Sequence, residues 1–134
     1  MTKRCLLILS LFALVACTRT YDVYSDKYFV SFSCDMATAP FNSLHTLGHF
    51  LAVRPKTTKD GYRVKSPDGI EREYPYSEVQ SRVFSFGLAG LIIGQPYFEE
   101  SIYAFDLACP ECDRSSARLT VNLDGMVSCS RCQS

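Results

Sequence analysis

Cys109-Pro110-Glu111-Cys112 and Cys129-Ser130-Arg131-Cys132 flank the run Arg118-Leu119-Thr120-Val121-Asn122-Leu123, Asp124-Gly125, Met126-Val127-Ser128. Asp124-Gly125 is a hairpin turn signal between two segments of strand composition. The hairpin therefore carries the second C-x-x-C pair back to the first. Sixteen residues, 113–128, separate the pairs, a spacing that suits a tetrahedral zinc site. Two residues between cysteines let the chain curl so that both sulfurs and nearby amide N–H groups face one cation, which favours thiolate over thiol. The pattern predicts a zinc ribbon with Cys109, Cys112, Cys129 and Cys132 as ligands. Four protein thiolates leave no open position for water, so the expected metal is structural and hydrolysis at it is disfavoured.

Two other readings of these thiols stay open. In an oxidising compartment they would form two disulfides, or one and a free pair. Disulfides within C-x-x-C are typical of redox sites, however, and no thioredoxin-like βαβ pattern surrounds either pair. Four thiolates also suit a mononuclear iron or an iron–sulfur cluster, which would make the protein an electron carrier.

Upstream, the sequence again reads as strands and turns. Tyr28–Ser33, Phe50–Val53, Leu91–Ile93 and Ile102–Phe105 are rich in aromatic and β-branched residues, and Tyr62–Lys65 alternates between the turn signals Asp60-Gly61 and Asp68-Gly69. A β-meander over about 50 to 76 follows from this spacing, with one helical turn over 76–81 and a buried strand in the nine apolar residues Phe86–Gly94. The expected fold is mainly β, a small antiparallel domain over 28–134 with its two-knuckle cysteine site at 105–134. Arg54, Lys56, Lys59, Arg63, Lys65 and Arg72 interleave with Asp60, Asp68, Glu71 and Glu73, the pattern of a solvated face. With 14 basic against 14 acidic residues over 134, no nucleic-acid partner is expected.

The amino end reads as an address. Lys3 and Arg4 precede the apolar run Cys5–Leu14, and Leu14-Val15-Ala16-Cys17 follows, the layout of a secretory signal over 1–16 that is too short to span a bilayer. These four residues resemble the lipobox of bacterial lipoproteins. That resemblance implies lipidation of Cys17 and attachment of the protein to a membrane, with 17–27 as a polar tether. Two or three acyl chains give stable anchoring where one is marginal. Thr18, where aspartate would signal inner-membrane retention, favours the outer membrane. Without 1–16 the chain keeps 12 basic against 14 acidic residues.

Further residues are weighed against their ordinary roles. His45 and His49 lie four apart, a ligand spacing on a helix, but Gly48 and the leucines around them favour an extended segment with ordinary polar side chains. Cys34 reads as a small buried apolar group. Asp106 and Glu111 flank the first knuckle and are candidates for contacts to the ligands. No nucleophile–base–acid set, phosphate loop or carboxylate pair stands out, so no enzyme is expected.

Phe105–Cys112, with Leu119-Thr120-Val121, Asp124-Gly125 and Cys129–Cys132, resembles small exported lipoproteins of Gram-negative gut bacteria whose carboxy-terminal half looks like a Rieske domain. The likeness extends through Ala39–Leu44 and Gly87–Gly94. It implies a Rieske-like sheet, in a family whose relatives hold a [2Fe–2S] cluster by C-x-H and C-x-x-H pairs. Here Cys112 and Cys132 stand near where the histidines belong, and the first pair is one residue longer. The family also continues beyond the last cysteine, so the chain ending at Gln133-Ser134 reads as a truncated member with an unpaired sheet edge. Knuckles commonly place glycine after their second cysteine, where φ is positive; this chain has Asp113 and Gln133 there. The function expected from all this is non-catalytic: a lipid-anchored envelope protein whose surface serves an unknown envelope partner. The alternative is electron transfer or thiol–disulfide exchange through the same sulfurs.

Overall fold

The computed structural model describes residues 28–112 and 114–133. The expected leader, Cys17 and the tether lie outside the described residues, as do Asp113 and Ser134. Among the described residues, nine strands follow in order: β1 (Val30–Ser31), β2 (Phe50–Pro55), β3 (Gly61–Lys65), β4 (Glu71–Pro75), β5 (Ser85–Phe86), β6 (Leu91–Gly94), β7 (Tyr103–Asp106), β8 (Thr120–Val121) and β9 (Val127–Ser128). A 3-10 turn, Phe41–His45, precedes β2, and one short helix, α1 (Glu78–Val83), follows β4. The fold is mainly β, antiparallel, with little helix.

The main sheet has the order β4-β3-β2-β6-β7, antiparallel throughout. The expected meander is its first three strands. Alternation sends Leu51 and Val53 of β2 to one face and Phe50 and Ala52 to the other. On the first face lie Tyr62, Val64, Leu91 and Ile93, covered by Phe41, Leu44 and Phe86. Phe32 sits among these rings, with centroids 5.0–5.9 Å from Phe41, Tyr62, Phe84 and Phe86, the separations at which aromatic pairs add to burial. On the second face, Ile92 packs with Leu107, Ala108 and Val121 of the carboxy-terminal module. The sheet is thus the middle layer between an aromatic arm and the cysteine module.

The rest of the second face is a ladder of ion pairs. Arg54 meets Glu71 at 2.8 Å, Arg63 meets Glu73 at 2.8 Å and Glu71 at 3.6 Å, and Lys56 meets Glu73 at 3.1 Å. Arg54, Lys56, Arg63, Glu71 and Glu73 of the interleaved charges therefore pair with one another on a solvated face.

Four expectations are corrected. Phe86–Gly94 is two strands and not one: Gly87 (φ 68°) and Gly90 (φ 123°) turn the chain between β5 and β6. The strand expected over 28–33 shortens to β1, paired with β5. At Asp60-Gly61 the left-handed residue is Lys59 (φ 59°), while Gly61 lies inside β3, where a Cβ would meet the Tyr74 carbonyl. The helical turn forms two residues later than expected and is fixed by a capping box. Ser77 Oγ accepts from Gln80 N–H at 3.2 Å, and Gln80 Oε1 accepts from Ser77 N–H at 3.0 Å.

Candidate metal centre

The cysteine module grows out of the main sheet. Beyond β7 the chain stays extended: Leu119 N–H donates to Leu107 O and Cys109 N–H donates to Ala117 O, both at 2.8 Å, around an Ala108–Arg118 bridge. The same stretch, continuing as β8, pairs with β9 through Thr120–Ser128 and Val121–Val127. Residues 117–121 are therefore flanked by 107–109 on one side and 127–128 on the other, which brings Cys109 and Cys129 to the same end. The expected hairpin turn is present, with Asn122 N–H donating to Met126 O at 2.8 Å and Gly125 at φ 76°.

Cys109, Cys112, Cys129 and Cys132 converge there. Their four sulfurs all lie within 4.8 Å of one another, a group that could hold a metal ion. Cys109 Sγ is 3.6 Å from Cys132 Sγ, and Cys112 Sγ is 3.8 Å from Cys129 Sγ. These contacts cross between the knuckles and are far longer than a disulfide bond of about 2.05 Å. No disulfide joins any of the five cysteines among the described residues. Cys109 and Cys129 are buried, Cys112 is half-buried and Cys132 is exposed, so one edge of the group faces solvent.

Each knuckle treats its first sulfur alike. The N–H groups of Cys112 and Glu111 donate to Cys109 Sγ, and those of Cys132 and Arg131 donate to Cys129 Sγ. Such bonds favour thiolate. They hold the Cys129 thiol below its ordinary value, the Cys132 N–H contributing most. At Cys109 the same donors, Cys112 first, are outweighed by lost hydration and the neighbouring sulfurs, and the thiol titrates above its ordinary value. Burial, then hydrogen bonds among the sulfurs, push Cys112 up to about 12. Four sulfurs in one place cannot share four negative charges without a cation to balance them. The second knuckle closes with Gln133 N–H donating to Cys129 O at 2.9 Å and Gln133 at φ 59°, the left-handed position anticipated from knuckle geometry.

The remaining candidates lie elsewhere. Among the described residues, these four cysteines are the one group of three or more His, Cys, Asp or Glu placed to share an ion. His45 ends the 3-10 turn, exposed, and His49 precedes β2 and lines a separate groove with Asn42, Ser43, Ser66 and Arg72. The extended segment expected over the two histidines does not form, because His45 closes the 3-10 turn and Gly48 (φ 74°) turns the chain before His49. Cys34 is half-buried against the aromatic core, its thiol pushed up by burial and then by Asp35. Glu111 is exposed, and its part in the knuckle is its backbone N–H.

Asp106 does not touch the cysteines. Its carboxylate accepts the N–H groups of Leu88 (2.6 Å), Ala89 (3.3 Å) and Ala108 (2.8 Å), while Arg118 Nε donates to Ala89 O at 3.2 Å. Both side chains tie the Gly87–Gly90 turn to the root of the module. Local spacing does not announce these contacts; an acid downstream of a turn flanked by Gly87 and Gly90 is their trace in the sequence. An apolar groove of about 590 Å³, lined by Phe50, Ile92, Phe105, Pro110, Leu119 and Val127, lies between sheet and module.

Comparison of the chain with protein-family models, curated proteins and solved structures yields no match. No helix among the described residues is long and apolar enough to cross a membrane.

Proposed function

We propose that this chain is a non-catalytic, lipid-anchored envelope protein in which one zinc ion, held by Cys109, Cys112, Cys129 and Cys132, fixes the carboxy-terminal module. The carrying observation is the sulfur geometry. A tetrahedron of thiolates around a Zn–S bond of about 2.3 Å has edges of about 3.8 Å, and the two sulfur pairs that cross between the knuckles, Cys109–Cys132 and Cys112–Cys129, stand 3.6 and 3.8 Å apart. Four sulfurs within 4.8 Å of one another fit one ion better than two irons bridged by sulfide. This disfavours an iron–sulfur cluster as the electron-transfer centre, while a mononuclear iron would need the same four thiolates and is separated from zinc by metal content. When bound, the ion would supply charge neutralisation and a covalent-strength link between the knuckles. The chain's own contribution is four sulfurs and the N–H donors that favour their ionised form.

The lipid anchor at Cys17 and an outer-membrane location rest on the leader sequence. Elemental analysis of the full chain purified from membranes in detergent tests the metal. One zinc per chain, with no visible absorption, is expected. A coloured protein containing iron would establish the electron-transfer reading, and metal-free protein unaffected by chelator would remove both. Labelling with radioactive palmitate, lost in Cys17→Ser, tests the anchor.

A further inference from the structure

The two edges of the main sheet differ in a way that bears on assembly. β4 is a protected edge: Glu71, Arg72 and Glu73 are charged and Pro75 lacks an N–H, the usual devices against strand addition. β7 has none of these over Ser101-Ile102-Tyr103-Ala104-Phe105, and among the described residues no strand pairs with its outer side. Its one acid, Asp106, is already engaged by three backbone N–H groups.

The register says which atoms that edge presents. Leu107 N–H bonds to Gly90 O at 2.8 Å, and β7 pairs with β6 as Phe105–Ile92 and Tyr103–Gly94. Because bonded and non-bonded pairs alternate along an antiparallel ladder, Tyr103 and Phe105 direct their backbone groups inward to β6. Ile102, Ala104 and Asp106 direct theirs outward.

We infer that β7 is a self-association edge: two copies pair antiparallel about Ala104, joining their sheets into one of ten strands. A two-fold axis at Ala104 places Ala104 opposite its own copy as a bonded pair and Ile102 opposite the other copy's Asp106, so all outward groups find partners. On the groove side, Tyr103 faces the other copy's Phe105. Within one chain these rings already stack, with centroids 6.2 Å apart and planes 16° apart, so pairing extends the stack to four rings. Phe105, 54% exposed, would thereby be covered at the mouth of the apolar groove. Charge agrees: no like-charged residues oppose each other in this register, whereas β4 paired on itself about Glu73 would set Glu73 against Glu73.

Full-length protein in detergent tests this by sedimentation and cross-linking. A dimer is expected, and Ala104→Lys, which sets two ammonium groups at the axis, should shift it to monomer with an unchanged circular dichroism spectrum. Ala104→Cys should cross-link to a dimer with a short bis-maleimide, while wild type and Thr57→Cys, in the β2–β3 loop, should not; this arm stands even if the lysine variant fails to fold. Monomeric wild type without cross-linking of Ala104→Cys overturns the inference. A monomer whose Ala104 amide resists hydrogen exchange overturns it in favour of the 17–27 tether as the occupant of this edge.

Discussion

Replacing Cys109 by serine probes whether the four cysteines act as one unit. The module's own buried cluster is Cys109, Ala117 and Cys129, two of its three members being proposed ligands. Ala117 contributes one buried methyl, about 0.8 kcal/mol by transfer, so hydrophobic burial at the knuckles is slight. A structural zinc contributes about 10–16 kcal/mol of apparent binding free energy in small peptides, comparable with or above the whole stability of a domain, about 5–15 kcal/mol. Losing a ligand should therefore let the module open while the main sheet persists. If opening then becomes easier by about 5 kcal/mol, exchange protection falls roughly three to four decades at 1.4 kcal/mol per decade. The reporters are the amides of Cys109, Leu119, Asn122 and Gln133, each bonded within the module at 2.8–2.9 Å. The amides of β2 and β3 serve as internal controls. The double variant Cys109→Ser/Cys129→Ser should open no further than either single one, because the first loss already releases the ion. Single effects that add, with metal retained and chelator inert, would refute the reasoning and point to independent knuckles.

Three other perturbations bear on the surroundings. Asp106→Ala strips three backbone N–H groups of a charged acceptor; a loss of about 3 kcal/mol is expected by urea titration, with Asn recovering part of it. Gln133→Gly relieves a left-handed residue at φ 59° and should raise stability by about 1 kcal/mol, read as a higher thermal midpoint of metal-loaded protein. With pH, the carboxyls of Asp60, bonded first to Thr58, and Glu73, bonded first to Lys56, sit below their ordinary 3.8 and 4.5. Their contribution is present above those values and lost as pH falls through the lowered ones. Lys56 is raised above 10.5 by Glu73 and then Asp60, and burial raises the Cys34 thiol above 9.0 and the Tyr62 hydroxyl above 10.0. Their contributions are present below those ordinary values and lost as pH rises through the raised ones. Denaturant midpoints should be flat from about pH 5 to 8.5 and decline on both sides; a midpoint still rising above pH 9.5 would contradict this.

What could be read from the residues follows the range of the forces involved. The cysteine cluster was legible because its ligands come in two local pairs and its return path is a hairpin with its turn at Asp124-Gly125; nothing distant had to be known. The meander was legible for the same reason. Lys59 was not, because Asp60-Gly61 looks like a turn on its own. Gly61 is instead required by the Tyr74 carbonyl on a neighbouring strand, a contact that composition does not record. Asp106 was read toward the cysteines three residues away, but its carboxylate binds Leu88 and Ala89, eighteen and seventeen residues back. Phe86–Gly94 misled by apolarity: Phe86 of β5 and all of β6 are buried, yet the two strands belong to different sheets, and only the positive φ of Gly87 and Gly90 separates them. In each case the deciding partner lies across a sheet or turn. The exposed edge of β7 belongs to the same class, since its neutrality is plain in the sequence but its place at the end of the strand order is not. The cysteine site can thus be argued from spacing alone, whereas whatever this protein docks must be sought on surfaces that exist only once β6, β7 and the module have been brought together.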